Sequence, residues 1–559
     1  MKQMMEKKLK PKAHELAQKQ KEISVAEFFE KNRHLLGFDS PKKSLMTTVK
    51  EAVDNALDAC EEAEVLPEIS LEIIDMQNNR YRMIIEDNGP GIVKKQIPNI
   101  FAKLLYGSKF HALRATRGQQ GIGISAAALY GQLTTGRPIK ITSKISPDDP
   151  AYYYELHINT LTNQPEIIKE EQVEWKKNQG TRIELDMEAS YQKGPQSVDE
   201  YIKQTAIINS HATIIYTNPK AEQFIFTRVA KEPIKIPKEI KPHPYGIEIG
   251  VMIRMLKSTQ TKTLQQFLTT EFSRVTVNVA KEICDKAIVA NNSKPESLDR
   301  SFAEKLIKAI RETKIMAPPT DCVQPIGEEL LEKGLKKEVQ AEFYTSVSRN
   351  ASVYRGNPFL IEVGIAYGGE LTKEGTCRVL RFANKVPLMY QQSAGAIQKA
   401  ITDINWRSYG LSQSGGSLPQ GPLVILVHMA SVWVPFTSES KEAIAHYDEI
   451  IKEMKLALQE AGRKLGLYVR KKKRVGEELK KRSYMEKYIP YVATALGELL
   501  DLKKDEQTKI EQDLAETLEH VRGEVEDLTF DPSKNEEYDE TLAKFGMEDE
   551  DGEENRDEE

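Results

Sequence analysis

Three polar side chains in the stretch EAVDNALDAC are spaced so that they share one face of a predicted helix. Glu51, Asn55 and Asp58 follow one another at offsets of four and seven residues from the first, which bring side chains to the same side of an α-helix. The other side is apolar, with Val49, Val53, Ala56, Leu57 and Cys60. Two carboxylates and an amide on one stripe can bind a ligand, but a solvated face is the commoner explanation of such a helix.

A glycine-rich stretch, GQQGIGIS, runs from Gly118 to Ser125 and precedes an Ala/Leu-rich segment that predicts a helix. Glycine lets the backbone approach a ligand closely, and the N–H groups at a helix N-terminus attract phosphate. A phosphate-binding loop is therefore one interpretation, and a glycine turn without a ligand is the other. The sequence contains no G-x-x-x-x-G-K-[ST], which argues against a P-loop.

Asp87 ends a predicted strand at DNGPG, which includes Gly91. As a turn, this stretch is explained by its Asn, Gly and Pro residues alone. As chemistry, the Asp87 carboxylate can accept a hydrogen bond from an exocyclic amine while the glycines let a flat base approach. Thr181, which follows Gly180 and leads into the strand RIEL, can add a hydroxyl to the same network.

The elements that must position these residues form an α+β pattern. A predicted hairpin (ISLEII, RYRMIIED) follows the first helix, then come a helix-like segment (IFAKLLYGSKF) and strands at PIKITSKI, AYYYELHI and TRIELDM. From about Lys231 the pattern is mostly helical until a break at Ala317. A second α+β region follows, with strands at FLIEVGIAYGG, CRVLRFANKVPL and GPLVILVHMASVWVPF, and a long helix predicted to begin near Ser438.

Composition is that of a globular protein of several domains. The chain has 559 residues, 40% of them hydrophobic and 29% charged, and we expect about three or four domains. It has no apolar run of the roughly 20 residues that cross a bilayer and no signal-peptide core, so we expect a cytoplasmic protein without a membrane partner. Its four cysteines form no CxxC pair, which predicts buried or reduced thiols rather than disulfides or a zinc site.

The net charge of −5 hides an asymmetry between two C-terminal segments. Residues 531–559 hold 14 acidic and 3 basic side chains, a composition that predicts a disordered tail. Residues 461–490 hold 11 Lys or Arg against 3 Glu. Such a basic run is either a solvated helix face or a surface for nucleic acid.

The order E-x-x-x-N, DNGPG, GQQGIG, GT resembles that of the GHKL ATPases, whose Bergerat fold binds ATP under a mobile lid. The resemblance implies that Glu51 is the general base for the attacking water, that Asn55 holds magnesium through its amide oxygen, and that Asp87 reads adenine. The remaining nucleotide contacts that it implies are Gly91, Ser108, Lys109, Gly118, Gln119, Gln120, Gly121, Ile122, Gly123, Ile124, Ser125 and Thr181. One protein amide is enough, because Mg²⁺ takes most of its oxygen ligands from phosphates and water. Asp58 either supports this site indirectly or lies on the surface.

Over nearly its whole length the chain also resembles the B subunits of DNA topoisomerase VI. The specific matches are RGQQGIGISAAALYGQ, RFANKVPLMYQ and VHMASVWVPFTSESKEAIAHY. Lys441 matches the switch lysine that reaches the γ-phosphate, although a lysine in such a position is otherwise usually exposed. The implied domains are a GHKL ATPase α/β sandwich with an N-terminal strap (1–230), a helix-two-turns-helix insert (231–316), a ribosomal S5-type transducer (317–470), a basic helical region that docks a partner (471–530) and the acidic tail (531–559).

The function that this resemblance implies is an ATP-driven gate for DNA. ATP and Mg²⁺ would close a dimer of B subunits around one duplex, and the A subunit of an A2B2 heterotetramer would supply the double-strand break through which it passes. Two alternatives stay open. A MutL-like repair clamp shares the gating but should lack the helical insert, and a non-enzymatic DNA-binding scaffold would have a degenerate nucleotide site.

Overall fold

The computed structural model describes residues 12–17, 19–109, 112–118, 121–391, 393–438 and 441–522. Within these residues the chain forms two β-sheets, a group of helices that lies between them in sequence, and a long helical C-terminal segment. This is the α+β multidomain arrangement that the sequence predicts. The first residues of the expected strap, the loop residues Gln119 and Gln120, and the acidic tail lie outside the described residues.

In the described residues before position 230, an eight-stranded sheet has the order β5-β4-β3-β6-β2-β1-β7-β8. Its strands are β1 (Glu68–Asp75), β2 (Arg80–Glu86), β3 (Ile139–Lys144), β4 (Ala151–Asn159), β5 (Gln164–Val173), β6 (Gly180–Glu188), β7 (Thr213–Thr217) and β8 (Gln223–Phe226). Neighbouring strands are antiparallel except β1 and β7. The predicted hairpin is confirmed, with Leu71 opposite Ile85.

The helices that accompany this sheet are α1 (Lys12–Ala17), α2 (Val25–Lys31), α3 (Pro41–Glu62), α4 (Ile97–Ala102), α5 (Gly123–Thr135) and α6 (Val198–Ile208). Helix α3 begins at Pro41, and the Ser40 hydroxyl caps it by accepting a hydrogen bond from the Lys43 N–H. Its apolar side, including Val49, Val53 and Leu57, is buried in the core that the sheet and helices share. The middle of the polar stripe, at Asn55, is exposed.

A separate group of helices follows: α7 (Ile249–Ser258), α8 (Leu264–Glu271), α9 (Val277–Ala287) and α10 (Arg300–Glu312). Their apolar faces meet in a core of their own, where Met252, Phe267, Ile283 and Leu306 are fully buried. The predicted helical character of this region is confirmed, and its separate core makes it a distinct structural unit.

The described residues after position 317 form a second, six-stranded sheet, in which β10, β11, β14, β12 and β13 lie in that order and β9 pairs with β11. The strands are β9 (Phe343–Ser348), β10 (Ser352–Tyr354), β11 (Asn357–Tyr367), β12 (Arg378–Ala383), β13 (Val386–Pro387) and β14 (Leu423–Ser431). The accompanying helices are α11 (Glu328–Glu338), α12 (Ala396–Thr402), α13 (Asp448–Leu500) and α14 (Lys504–Arg522). Strand β14 is buried at every residue, so it forms the centre of this unit.

The prediction that a long helix begins near Ser438 is wrong, because α13 begins at Asp448. The described residues before it form no helix. Phe436 and Ile444 form an antiparallel bridge, and the Ala445 N–H donates to the Pro435 carbonyl at 2.7 Å. Their backbone groups are thus used in tertiary pairing, which the helical pattern of the sequence does not reveal.

Two other helix boundaries also differ from expectation. The helix predicted through Phe110 ends at Ala102, because Leu105 adopts a left-handed φ of 59° and the Asn163 side chain binds both the N–H and the carbonyl of Leu104. The second difference is in the expected basic helical region, whose residues 471–500 form the end of α13, a helix of 53 residues that contains Pro490. That helix also passes the expected domain boundary at residue 470 without a break.

No helix in the described ranges combines the length and the apolar character needed to cross a bilayer. Cys60, Cys284, Cys322 and Cys377 are all buried and unpaired, as the sequence predicts. Burial raises the pKa of the Cys377 thiol to about 12, so these thiols behave as small apolar side chains.

Candidate active site

A cavity of about 670 Å³ lies where α3, the loop before α5 and the first sheet meet residues of the second sheet's unit. The sequence-predicted residues that line it are Glu51, Asn55, Asp87, Gly91, Ser108, Lys109, Gly118, Gly121, Ile122, Gly123, Ile124, Thr181 and Lys441. The cavity is large enough for a cofactor-sized molecule. It therefore brings together the motifs that the sequence analysis treated separately.

Ser125 is the exception among the described residues of the predicted site. It is buried in α5, where its hydroxyl donates to the Ile122 carbonyl at 3.2 Å, and it does not line the cavity. Gln119 and Gln120 lie outside the described residues.

Glu51 and Asn55 lie one turn apart on α3 and line the cavity. A Cβ atom placed on Gly123 would be 1.7 Å from Glu51 Oε2, so the carboxylate contacts the backbone at the first residue of α5. A Cβ atom on Gly118 would be 3.8 Å from Asn55 Oδ1. The two ends of the glycine-rich loop thus lie beside the two polar groups that the resemblance assigned to water and metal.

Lys50 is a cation beside Glu51 that the sequence analysis did not select. Its Nζ lies 3.5 Å from Glu51 Oε1 and 3.9 Å from the buried Asp54. Tyr201 of α6 donates a hydrogen bond to Asp54 at 3.1 Å. Asp54 therefore joins α3 to α6, while Lys50, on α3 itself, places a positive charge beside Glu51.

Asp87 forms the other end of the cavity, at the end of β2. Its Oδ1 accepts hydrogen bonds from the Gly89 N–H at 2.9 Å and from the Thr181 N–H at 3.1 Å. Burial raises the pKa of this carboxyl to about 6. A Cβ atom on Gly180 would be 2.2 Å from the Asp87 carbonyl oxygen, so glycine is required for β6 to approach this closely.

Ser143 of β3 is buried behind Thr181 at this end of the cavity, and the sequence patterns did not indicate it. Its hydroxyl lies 3.2 Å from the Thr181 hydroxyl and accepts a hydrogen bond from the Ile92 N–H at 2.8 Å. It lies in the strand PIKITSKI, where alternation predicts only that it faces one side of the sheet. That Ser143 lies opposite Thr181 becomes known only from the pairing of β3 with β6.

Asp58, the third member of the polar stripe, binds two cations from the loops around the cavity. Its carboxylate is 2.8 Å from Lys109 Nζ and 2.7 Å from Arg117 Nη1. Although burial acts in the opposite direction, Lys109 and Arg117 hold the pKa of Asp58 below its ordinary value. Asp58 is buried, and it acts on the site through Lys109 and Arg117, not as a surface group.

Arg117 is almost completely buried at the start of the glycine-rich loop. Besides Asp58, its guanidinium binds both carboxylate oxygens of Glu61 and the Asn209 side chain. Such bidentate pairing fixes the orientation of the guanidinium. The sequence showed Arg117 only as the residue before GQQGIG, since Asp58 and Glu61 are 59 and 56 residues away.

Lys441 reaches the same loop from the second sheet's unit. Its Nζ donates to the Arg117 carbonyl at 3.2 Å, and its backbone has a left-handed φ of 53°. Burial lowers the pKa of Lys441, and the nearby Lys50 ammonium lowers it further. An ammonium in such a position gains from a nearby polyanion.

The arrangement is suited to a nucleotide with a phosphate chain. Asp87 and Thr181 can bind a base, while the loop from Gly118 to Gly123 and the N-terminus of α5 can bind phosphates. In the described part of the chain, no group of three or more His, Cys, Asp or Glu side chains could hold a metal ion by itself. The Asn55 amide oxygen fits a Mg²⁺ ion that takes its other ligands from phosphates and water.

Comparisons with known proteins agree with this geometry. The family model described as "Histidine kinase-, DNA gyrase B-, and HSP90-like ATPase" matches residues 41–188, and "Topoisomerase VI B subunit, transducer" matches residues 318–481. The B subunit of type 2 DNA topoisomerase 6 from Methanococcoides burtonii is 53% identical over 88% of this chain and 79% of its own length. The chain belongs to the family of type 2 DNA topoisomerase 6 B subunits.

Other members of the B-subunit family are similarly close. The Methanosarcina mazei protein is 51% identical, covering 88% of this chain and 79% of that protein. The one from Archaeoglobus fulgidus is 49% identical, covering 86% and 80%. Among solved structures, the ATPase region of Saccharomyces cerevisiae topoisomerase II has a TM-score of 0.40 and 11% identity, covering 78% of this chain and 92% of that one, a likeness too weak to carry an argument.

Family membership settles the fold and the general function. The first sheet and its helices are a GHKL ATPase fold that binds ATP, and the second sheet's unit contains the transducer of this family. The chain is the ATPase subunit of an ATP-dependent type II DNA topoisomerase. Nothing in the comparisons that identify the family supports a MutL-like clamp.

Proposed function

We propose that this B subunit uses ATP to gate the passage of one DNA duplex through a double-strand break made by an A subunit. The observation that carries the proposal is that Lys441, from the transducer, enters the cavity that contains Glu51 and Asn55 and binds the Arg117 carbonyl beside the loop. A ligand in this cavity contacts both units, so its phosphate content can set their relative position.

The hydrolytic step follows from the positions of Glu51, Asn55 and Lys441. A water molecule held by Glu51 attacks the γ-phosphorus, the bond to the bridging oxygen of ADP breaks, and Glu51 takes the proton of the water. Asn55 would hold Mg²⁺, which neutralises phosphate charge when bound. Lys441 stabilises the γ-phosphate, and its contact is lost with that group.

The nucleoside end is bound by a different set of residues. Asp87 accepts a hydrogen bond from the adenine amine, and Thr181 and Gly91 lie beside the base. Lys109 and Ser108 also line the cavity. Because adenine contacts are the same in ATP and ADP, discrimination between the two nucleotides depends on the loop and on Lys441.

The assembly we propose is an A2B2 heterotetramer that acts on double-stranded DNA in the cytoplasm, with B subunits dimerising when ATP binds. For the domains we keep the bounds predicted from the sequence as part of this proposal: ATPase with strap (1–230), helical insert (231–316), transducer (317–470), basic helical region (471–530) and acidic tail (531–559). Phosphate contacts by the basic part of α13 should weaken as salt rises.

Co-purification with the A subunit tests this function. The B subunit alone should leave supercoiled and interlinked circles unchanged, and adding the A subunit with ATP and Mg²⁺ should relax and unlink them. ATP replaced by ADP should give no passage. Duplex passage by the B subunit alone, or passage that is independent of ATP, would overturn the proposal.

A further inference from the structure

The turn between β12 and β13 reaches out of the transducer to the start of the glycine-rich loop. Asn384 and Lys385 form this turn with left-handed φ angles of 47° and 63°. The Asn384 Nδ2 group donates to the Thr116 carbonyl at 3.1 Å and to the Ser431 carbonyl at 3.0 Å, while its Oδ1 accepts from the Ser431 N–H at 2.9 Å. One amide therefore connects the loop to the end of β14.

Lys385 extends the same contact to the helix that carries Glu51. Its side chain is 12% exposed, and its Nζ lies 3.7 Å from Glu61 Oε2 on α3. Against the effect of burial, Arg117 and Lys385 hold the pKa of Glu61 well below its ordinary value. Glu61 in turn binds the Arg117 guanidinium through both oxygens, so Lys385 acts on the loop through Glu61 and Arg117.

The turn is attached rigidly to the transducer sheet. The Lys385 N–H donates to His428 Nε2 at 3.0 Å, and His428 Nδ1 is 2.9 Å from Glu362 Oε2. Both side chains have zero exposure. Glu362 also accepts hydrogen bonds from the Ile326 and Gly327 N–H groups. A movement of the sheet must therefore carry the turn with it, because breaking this buried network is costly.

We propose that Asn384 and Lys385 are positioning residues that hold the glycine-rich loop in place for a triphosphate, as a second transducer contact in addition to Lys441. Thr116 and Arg117 immediately precede Gly118, so their placement fixes where the loop begins. This inference rests on the proposed function, in which the loop binds the phosphates of ATP. The two contacts have distinct chemistry, since Lys441 lines the cavity and the turn acts from outside it.

The position of the turn predicts that it affects binding of the phosphates and not of the base. Asp87 and Thr181 have no contact with Asn384 or Lys385 in the described structure. Weakening the turn should therefore lower affinity for a triphosphate while leaving affinity for ADP unchanged. General damage to the ATPase fold would instead lower both affinities together.

The test compares binding of ADP and of a non-hydrolysable ATP analogue to the full-length protein with Mg²⁺. Lys385→Met removes the charge, and Asn384→Gly removes the amide while allowing the left-handed backbone. Each should weaken binding of the analogue about tenfold and binding of ADP less than twofold, and Lys385→Arg should restore most of the preference. The matched control is Arg378→Met, which removes another ion pair between the two units, with Glu200, that has no contact with the loop.

The second measurement compares the double variant of Lys385→Met and Glu61→Gln with the two single variants. If Lys385 acts through Glu61, then Lys385→Met should add little to the loss of triphosphate preference that Glu61→Gln already causes. Thermal melting checks that each variant is folded. If Lys385→Met does not fold, the nucleotide preferences of Asn384→Gly and Lys385→Arg test the inference instead. Unchanged preference, equal losses for both nucleotides, or full additivity would overturn the inference. A wild-type chain that binds neither nucleotide would instead overturn the proposed function.

Discussion

The carboxylate of Glu51 contacts Gly123, the first residue of α5, so closely that a methyl group at position 123 would stand 1.7 Å from Glu51 Oε2. The residue proposed to activate water is therefore in contact with the end of the loop proposed to bind phosphates. The position of this end of the loop and the placement of the Glu51 carboxylate are therefore coupled through one glycine.

Glu51→Gln should abolish ATP turnover and leave ATP binding intact. The amide keeps the size of the side chain but cannot take a proton, so we expect turnover to fall by a factor of about 10² to 10⁴. Steady-state hydrolysis and binding of a non-hydrolysable analogue are the measurements. Hydrolysis at the wild-type rate would remove Glu51 as the general base.

Gly123→Ala should also impair hydrolysis, because the new methyl group displaces the Glu51 carboxylate. We expect turnover to fall at least about tenfold through misplacement of the base, with melting temperature little changed because Glu51 can rotate away. Gly415→Ala is the control, since a Cβ atom there meets nothing within 4 Å. Normal turnover in Gly123→Ala would show that the observed contact has no catalytic importance.

Lys441→Ala should reduce hydrolysis about 10- to 100-fold without unfolding the ATPase domain. The ammonium would otherwise stabilise charge on the γ-phosphate. Hydrolysis should be measured with and without DNA and the A subunit, together with a melting curve. DNA-stimulated turnover equal to that of the wild type would count against the proposed role of Lys441.

ATP affinity should fall as the pH drops below the value at which Asp87 takes up a proton. Its pKa is raised by burial to about 6, so at pH 5 only about a tenth of the carboxyl remains ionised and binding should weaken by up to about tenfold. Titration of ADP between pH 5 and pH 8 measures this. Asp87→Asn should bind weakly at every pH, and a wild-type affinity independent of pH would contradict the assignment.

The raised pKa of Asp87 also makes the stability of the fold depend on pH, in the opposite direction from ATP affinity. The folded state binds the Asp87 proton more tightly than the unfolded chain, so this group's contribution to stability is present at low pH and is lost as the pH rises through about 6. Asp87→Asn should therefore melt higher, relative to the wild type, at pH 8 than at pH 4.5.

Removal of divalent cations should stop hydrolysis but not adenine binding. Asn55 supplies one protein oxygen, so the cation depends on the nucleotide for most of its ligands. EDTA should abolish turnover, Mg²⁺ should restore it, and Asn55→Ala should raise the Mg²⁺ concentration required. ADP binding in EDTA serves as the control. Continued hydrolysis in EDTA would exclude a metal role for Asn55.

Much of this architecture could be predicted because local patterns and tertiary structure agree. The hairpin of β1 and β2, the helix after Gly123 and the helices between 249 and 312 follow their sequence patterns. Strand β5 was missed because QPEIIKEEQV is a polar edge strand with mostly exposed side chains, and its extended form depends on its pairing with β4.

The site could be predicted only in part, because several of its residues are brought there by tertiary contacts. The order of motifs indicated Glu51, Asn55 and Asp87, but Ser143, Arg117 and the turn at Asn384 are defined by partners far away in the chain. The segment before Asp448 has a helical pattern, yet Lys441 needs an extended segment and a left-handed residue to reach the loop. Such contacts carry no signal in local periodicity.

Helix α13 begins seven residues after Lys441, and none of its residues between Gly466 and Ala493 is buried. The part of α13 beyond Gly466 therefore extends about 50 Å away from the part that packs on the transducer sheet. A tilt of only about five degrees at the nucleotide end would swing the far end by about 4 Å. A change at the nucleotide can thus produce a displacement of several ångströms at the far end of α13.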